Sequence, residues 1–159
     1  MKYLHGMARQ AQSITALNRL LELTVLLGAD LTRGLGRHGL TEARARLVWV
    51  LGQRGPSTQR ALAAALQVSA RNVTGLVDGL VATGFVTRRP HPDDRRAVLV
   101  TLTERGSSTV AALQAEQREL ARTLFGRVPG TRVDDLVAGL DLVLARLRGL
   151  AAAEMITEP

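Results

Sequence analysis

The sequence contains no cysteine. This absence excludes disulfide bonds, thiolate metal sites, cysteine nucleophiles and thiol-based redox sensing. Long apolar runs are also missing, because the most hydrophobic stretch, LLELTVLLGADL, is interrupted by Glu22 and Asp30. Such a stretch is far shorter than the roughly 20 apolar residues that a membrane span needs. We therefore expect no membrane partner and a cytoplasmic location.

Lysine is nearly absent as well. Lys2 is the only lysine among the 21 basic residues, so the other 20 are arginines. Arginine offers a rigid planar fork that suits phosphate, guanine edges and narrow minor grooves. A high-GC genome also favours arginine codons, so the formal net charge of +7 is the firmer signal. This excess of positive charge indicates a polyanion or an acidic surface as the partner.

The length and the hydrophobic patterning predict one domain over residues 1–159. Apolar spacing and capping residues divide it into helices and two short strands. The first helix covers 7–35 and is ended by Gly34, Gly36 and Gly39, and the second is capped by Thr41 and runs to about Leu51. The third runs from Ser57 or Thr58 to near Gln67, and the fourth is capped by Ser69 and closed by Gly84. Strands in FVTRR and AVLVTL follow, then a helix capped by Thr103 that runs to about Phe125 and a last helix bearing the apolar residues Val133 to Leu150.

The predicted fold is mainly α with a small β-ribbon. The terminal helices, over 7–38 and 104–152, carry apolar seams that one small domain cannot easily bury against itself. They are therefore the predicted dimerisation helices, and residues 41–103 between them form a separate lobe.

Two short helices joined by about three residues are typical of a helix-turn-helix. The second helix, over 69–83, begins with the small residues Ala70, Thr74 and Gly75, which allow close approach to base edges, and with Arg71 and Asn72, which supply donors and acceptors. Backbone amides at its start also favour phosphate. For this helix alone, an amphipathic helix with a solvated face is an equal alternative.

The ribbon favours nucleic acid. Arg88 and Arg89 lie on one arm and Arg95 and Arg96 at the start of the other, which predicts four guanidinium groups near one tip. From Arg54 to Gly106, eight basic residues face four acidic ones, a net of +4. The ribbon over 85–102 is interpreted as a wing that enters the minor groove while the helix over 69–83 lies in the major groove. Asp94 is predicted to hold the Arg96 guanidinium. The alternative is a charged tip that only protects a sheet edge.

The stretch DDRRAVLVTLTERG resembles the Asp-x-Arg wing signature and the Val-x-Leu-Thr-x-x-Gly continuation of the multiple-antibiotic-resistance regulator (MarR) family. The preceding residues, from STQRALAAALQVSARN to the wing, are similar to the helix-turn-helix of that family. The resemblance implies a winged helix-turn-helix with N- and C-terminal dimerisation helices. It also implies a homodimeric regulator of transcription, with repression as the main expectation, that binds a pseudo-palindromic operator in double-stranded DNA.

The same resemblance assigns the residues of the DNA interface. Arg96 looks like the family's arginine that enters the minor groove, and Asp94 looks like the carboxylate that supports it. Arg95 looks like a contact to the DNA backbone. The full predicted set is Ser57, Thr58, Gln59, Ser69, Ala70, Arg71, Asn72, Thr74, Gly75, Arg88, Asp94, Arg95 and Arg96. The sequence departs from the family at Gly75, where many members have arginine.

Many members of this family leave DNA when they bind a phenolic or other small anionic effector. The candidate lining residues here are Tyr3, His5, Arg44, Arg46 and Trp49, although Trp49 is expected to lie in the core. No cofactor is expected. His38 and His91 are isolated, and no metal site is assigned to them.

Two other classes of function compete with DNA binding. Catalysis is not expected, because the sequence has no HExxH, GxSxG or phosphate-loop motif and its acidic pairs, Asp93-Asp94 and Asp134-Asp135, are adjacent rather than on one helical face. A non-enzymatic helical module that docks an acidic protein partner would explain the charge and the apolar seams. It would not explain the close helix-turn-helix spacing or the charged ribbon tip.

Overall fold

The computed structural model describes the backbone of residues 2–94 and 97–157, and the side chains of residues 9–94 and 97–150. These residues form the predicted helices and the two predicted strands in the predicted order, together with one further short strand. The elements are α1 Lys2–Arg37, α2 Glu42–Arg54, β1 Ser57–Thr58, α3 Gln59–Leu66, α4 Ala70–Ala82, β2 Val86–Pro90, β3 Val98–Leu102, α5 Glu104–Phe125 and α6 Gly130–Thr157. The mainly helical class with a small β element is confirmed.

The helix starts are fixed by local side-chain caps, as predicted. Thr41 accepts a hydrogen bond from the amide of Arg44 at 3.4 Å, and Ser69 accepts one from the amide of Asn72 at 3.2 Å. Each cap satisfies one of the free amides that begin a helix. The third helix begins at Gln59, because Thr58 has extended backbone angles and caps the helix from outside it.

The expected end of the first helix is wrong by two residues. α1 continues through Gly34 and Gly36 to Arg37, and the break comes only at Gly39, whose φ is +72°. A glycine inside a helix costs about 1 kcal/mol, which a long helix tolerates, whereas a left-handed residue ends the helix. The last helix likewise extends to Thr157, beyond the predicted limit at residue 152.

The ribbon has a third strand that was not predicted. β3 lies between β2 and β1 in an antiparallel sheet, with Ser57 opposite Val100 and Thr58 opposite Leu99. Two residues are too few to show the alternation that identifies a strand in a sequence. Because of β1, the segment that leads into α3 is hydrogen-bonded directly to the wing.

One apolar core joins the helix-turn-helix and the base of the wing. Its fully or nearly fully buried members are Leu47, Val48 and Leu51 of α2, Leu62 and Leu66 of α3, Val73, Val77 and Leu80 of α4, and Phe85, Val86 and Val100 near or in the wing. Burying one such side chain stabilises a fold by about 1.5–3 kcal/mol. The recognition-type helix and the wing are therefore held by the same packing.

The start of α5 is clamped to the loop that follows α4. The Thr103 hydroxyl lies 2.7 Å from the carbonyl oxygen of Gly84, and the Thr103 amide donates to the carbonyl oxygen of Phe85 at 3.1 Å. The same hydroxyl oxygen accepts from the amide of Gly106 at 3.1 Å. These contacts give the Leu-Thr-x-x-Gly sequence a structural role, and the predicted cap at Thr103 is confirmed.

The chain groups into two compact units, residues 1–112 and residues 113–159. Several large apolar side chains on the long helices are exposed in the single chain. In α1 they include Ile14, Leu17, Leu21, Val25 and Leu31, and in α6 they include Leu136, Val143, Leu147 and Leu150. No helix among residues 2–94 and 97–157 combines the length and the apolar character needed to cross a membrane.

Candidate nucleic-acid interface

The recognition helix, α4, presents a polar face beside a buried one. Val73, Val77 and Leu80 have no exposed surface, whereas the predicted contact residues of its first turns are all exposed: Ser69, Ala70, Arg71, Asn72, Thr74 and Gly75. The free amides at the start of the helix point in the direction of its N-terminus, where the helix dipole favours an anion. The geometry brings these predicted residues together on one surface.

The turn before α4 is tight. Gln67 ends α3 in the left-handed conformation, with φ 55° and ψ 44°, and its amide donates to the carbonyl oxygens of Ala63 and Ala64. Left-handed backbone is unusual for a residue other than glycine, asparagine or aspartate. The bend it produces lets Ser69 begin the next helix only three residues after Leu66.

A side-chain contact joins the two helices of the helix-turn-helix. The Thr74 hydroxyl lies 3.1 Å from Oε1 of Gln59 and 3.0 Å from the carbonyl oxygen of Ala70. One hydroxyl proton can serve only one of these acceptors, and turning the Gln59 amide would make Nε2 the donor and satisfy both. Gln59 and Thr74, both predicted to contact DNA, therefore support each other at the interface.

The predicted phosphate-facing residues before α3 also have structural tasks. The Ser57 hydroxyl donates to the carbonyl oxygen of Gly55 at 3.0 Å, and the Thr58 hydroxyl oxygen accepts from the amide of Ala61 at 3.2 Å. Both side chains are half-buried. The Thr58 hydroxyl keeps its proton available for a further acceptor, whereas the Ser57 proton is already used.

The wing consists of β2, β3 and the connecting residues 91–97. Arg88 lies opposite Val100, which has no exposed surface, and Val86 on the same face of β2 is buried as well. Directly opposite residues of an antiparallel pair share a face, so Arg88 belongs to the inner face of the wing and Arg89 to the outer face. Two arginines adjacent in sequence thus point in opposite directions.

Arg88 contacts the recognition helix instead of the wing tip. Its guanidinium Nη2 lies 2.5 Å from Oδ1 of Asp78, with 35% of the Arg88 side chain and 59% of the Asp78 side chain exposed. The predicted cluster of four guanidinium groups at one tip is therefore wrong for Arg88. Arg88 and Arg89 cannot both lie on one face of the arm, because successive residues of a strand point to opposite faces.

The wing tip is closed by short-range hydrogen bonds. The amide of His91 donates to the carbonyl oxygen of Ala97 and the amide of Ala97 to the carbonyl oxygen of Asp94, both at 3.0 Å. The amide of Asp93 donates to Nδ1 of His91 at 3.1 Å. Arg95 and Arg96 lie outside the described residues, so the proposed support of Arg96 by Asp94 stays a prediction.

A shallow groove separates the start of α3 from the wing. Its lining residues are Thr58, Gln59, Arg88, Ala97 and Val98. Ala97 and Val98 were not among the predicted contacts, and neither was Asp78, the ion-pair partner of Arg88. In the sequence, the one feature that distinguishes Asp78 is that it is the only acidic residue of α4.

The residues considered for an effector are only partly described. The Arg44 guanidinium packs against Gly79 of α4, Arg46 is exposed, and the side chains of Tyr3 and His5 lie outside the described residues. Trp49 was expected in the core but is only half-buried. Leu47, Val48 and Leu51 occupy the inner face of α2, and Trp49 lies at the edge of that face. Among the described residues, no group of three histidine, cysteine or acidic side chains could hold a metal ion.

Comparison with known proteins points to one family. The model of the MarR family matches residues 40–98, which include α2, the helix-turn-helix and most of the wing. Residues 40–98 thus form a MarR-type region of the chain. The fold of the chain agrees with this assignment, since the crystal structure of a MarR family transcription regulator superposes with a TM-score of 0.74 and 23% identity, covering 97% of this chain and 99% of that one.

Curated HTH-type transcriptional regulators are similar to more than half of the chain. An HTH-type transcriptional regulator of Mycobacterium bovis is 34% identical over 95 residues, which cover 60% of this chain and 66% of the relative. The HTH-type transcriptional repressor NicR of Pseudomonas putida is also 34% identical over 95 residues, covering 59% of this chain and 60% of NicR. The chain thus matches slightly less than two thirds of the length of these relatives.

Proposed function

We propose that this protein is a sequence-specific transcriptional regulator of the MarR family that binds double-stranded DNA as a homodimer. The observation that carries the proposal is the exposed, polar first half of α4, which stands beside a basic wing on one shared core. A helix of this kind fits the major groove of B-DNA, and an arginine-bearing ribbon fits the minor groove. The protein then works by binding and not by catalysis.

The proposed contacts fall into three groups. Ser57, Thr58 and Gln59 at the start of α3 would contact phosphates, together with the amides at the start of α4. Ser69, Ala70, Arg71, Asn72, Thr74 and Gly75 would face base edges. In the wing, Arg96 would enter the minor groove with Asp94 as its support, Arg95 would contact the backbone, and Arg88 would act from the side of the recognition helix.

The homodimer is supported by the apolar surface of the long helices. Leu17 and Leu21 of α1 are 55% and 56% exposed in the single chain, and Leu147 of α6 is 56% exposed. Exposed large apolar side chains in such number on a folded chain often mark an interface. A two-fold dimer would read a pseudo-palindrome whose half-sites lie about one helical turn apart.

Repression is the proposed direction of regulation. NicR and the repressor IacR of Pseudomonas putida, which is 26% identical over 121 residues, are both named repressors. A bound dimer also blocks access to the DNA that it covers without needing any further contact. Regulation of genes agrees with the predicted cytoplasmic location.

A small phenolic or anionic effector is a second part of the proposal. The half-buried Arg44 supports it, because no hydrogen bond or ion pair is found for its guanidinium among the described residues. A half-buried guanidinium readily accepts a carboxylate partner. A panel of phenolic and carboxylate compounds, tested for release of the protein from its operator, would find such a ligand, and Arg44→Ala should abolish its effect.

The central experiment is selection of bound duplexes from a random DNA library by the purified full chain, with the mass of the complex measured at two salt concentrations. Enrichment of a pseudo-palindrome bound by two chains is the expected result. Retention that depends steeply on salt without any enriched sequence would leave only general DNA binding. Weak retention with little salt dependence would favour the alternative function of docking an acidic protein.

A further inference from the structure

One ion pair connects the recognition helix directly to the wing. Asp78 lies on the exposed face of α4, one turn after Gly75, and its Oδ1 is 2.5 Å from Nη2 of Arg88 on β2. The two residues are on different elements, so their contact depends on how the wing packs beside the helix. This contact differs from the Arg19–Glu22, Arg33–Asp30 and Arg122–Glu119 pairs, each of which joins two residues of one helix.

The pair lies where apolar packing ends. Val86, at the base of β2, is buried, and Arg88 follows two residues later on the same inner face. Beyond Arg88, the backbone hydrogen bonds of residues 91–97 close the tip on itself. The Asp78–Arg88 contact therefore extends the attachment of the wing to α4 from the core toward the surface that faces DNA.

An exposed ion pair contributes little to folding, because water and salt screen it. Its position matters more than its strength. Arg88 also lines the groove with Thr58 and Gln59, where a DNA strand would run in the proposed complex. Without Asp78, the Arg88 guanidinium would be free to bind a DNA phosphate whatever the base sequence.

We propose that Asp78 is a positioning and specificity-determining residue, which holds Arg88 against the recognition helix and keeps it from binding phosphates indiscriminately. This inference rests on the proposed DNA-binding function. Phosphate contacts supply most of the affinity for random DNA and carry no sequence information. Restraining one arginine per chain therefore lowers random binding more than operator binding and raises the ratio between them.

The test compares full-length Asp78→Ala with the unchanged protein on a mixed-sequence duplex and on the selected operator, over a series of salt concentrations. For the mixed-sequence duplex, the plot of log K against log salt should steepen by about 0.9 for each released arginine, or about 1.8 for a dimer. The ratio of operator affinity to random affinity should fall. The double variant Asp78→Ala/Arg88→Ala should lose the added slope.

A matched control separates the contact from a general charge effect. Asp93→Ala removes the same charge from the wing tip, where no ion pair of its carboxylate is found among the described residues. The proposal is overturned if Asp93→Ala steepens the slope as much as Asp78→Ala does. It is equally overturned if the slope of Asp78→Ala stays steep in the Arg88→Ala background.

A second measurement needs no DNA. Amide hydrogen exchange in β2 and β3 should be faster in Asp78→Ala than in the unchanged protein, because the wing loses its outer tie to α4. Unchanged exchange would show that the pair does not position the wing. If the unchanged protein selected no sequence, the proposed function would fail, while the exchange data would still decide whether Asp78 holds Arg88.

Discussion

The backbone of Gly106 packs directly against the carbonyl oxygen of Phe85, leaving no room for a Cβ atom at residue 106. The obstacle is main chain and not a flexible side chain, so it cannot turn away. The contact lies beside the Thr103 clamp that fixes the start of α5 after the loop that follows α4. A single glycine thus sets how closely α5 approaches the base of the wing.

Gly106→Ala should destabilise the protein by about 1–3 kcal/mol, the usual cost of overpacking a close contact. Urea unfolding followed by circular dichroism gives the free energy of unfolding. Gly139→Ala is the matched control, because a Cβ at Gly139 of α6 meets nothing within 4 Å. That variant should gain about 0.5–1 kcal/mol from helix propensity, and equal effects of the two variants would contradict the packing argument.

Gly75→Ala should stabilise the recognition helix and alter DNA binding at the same time. A Cβ at Gly75 also meets nothing within 4 Å, so the helix gains about 0.5–1 kcal/mol without a clash. If Gly75 faces a base edge, the added methyl group will change the sequence preference in a repeated duplex selection. An unchanged preference together with the gain in stability would remove Gly75 from the predicted interface.

Gly79→Ala should be nearly neutral alone and stabilising when Arg44 is absent. The added Cβ would displace the Arg44 guanidinium, which is the flexible end of a side chain. Loss of that packing offsets the gain in helix propensity. In the Arg44→Ala background only the gain of about 0.5–1 kcal/mol remains, so a double-mutant cycle of unfolding free energies should show coupling. Additive effects would mean that the two residues do not interact in solution.

Arg71→Ala and Arg96→Ala should weaken operator binding in different ways. Arg71 is exposed at the start of α4, and loss of a base contact there should relax the preference at one position by about 1–3 kcal/mol. Arg96→Ala should lower affinity through loss of the minor-groove anchor while the dimer stays intact. Titrations of the operator and of single-base variants distinguish the two, and an unchanged affinity in Arg96→Ala would contradict the minor-groove role.

Leu21→Glu should weaken the proposed homodimer. Leu21 is 56% exposed in the single chain, and a buried unpaired carboxylate at an apolar interface is costly. Sedimentation should show dissociation at a higher protein concentration, and the melting temperature at a given protein concentration should fall. Gln12→Glu places a similar charge at an exposed polar position of the same helix and should leave the association unchanged.

Much of the helical framework could be predicted because its determinants are local. The caps at Thr41, Ser69 and Thr103 and the left-handed Gly84 stand within a few residues of the helix ends that they define. Apolar spacing likewise predicted helices at α3 and α4. Local rules failed where a glycine did not break its helix, as at Gly34 and Gly36, because the surrounding helix outweighed the propensity.

The missed features depend on contacts between distant segments. β1 exists only because Ser57 and Thr58 pair with β3, and a segment of two residues is too short for its sequence pattern to predict this pairing. The Asp78–Arg88 pair required the register of the wing beside α4, which the sequence does not encode locally. The exposed contact residues on α4 were easier to predict, since one helical face follows from the position of its apolar stripe.

The alternating faces of β2 restrict how the wing can change length during evolution. Inserting one residue between Val86 and Arg88 would turn Arg88 to the outer face and move Arg89 farther along the strand, so the pair with Asp78 would be lost. The tip at residues 91–97 lies outside the paired strands and lacks this constraint. Insertions and deletions among related wings should therefore occur at the tip, and the strands should differ by substitution alone.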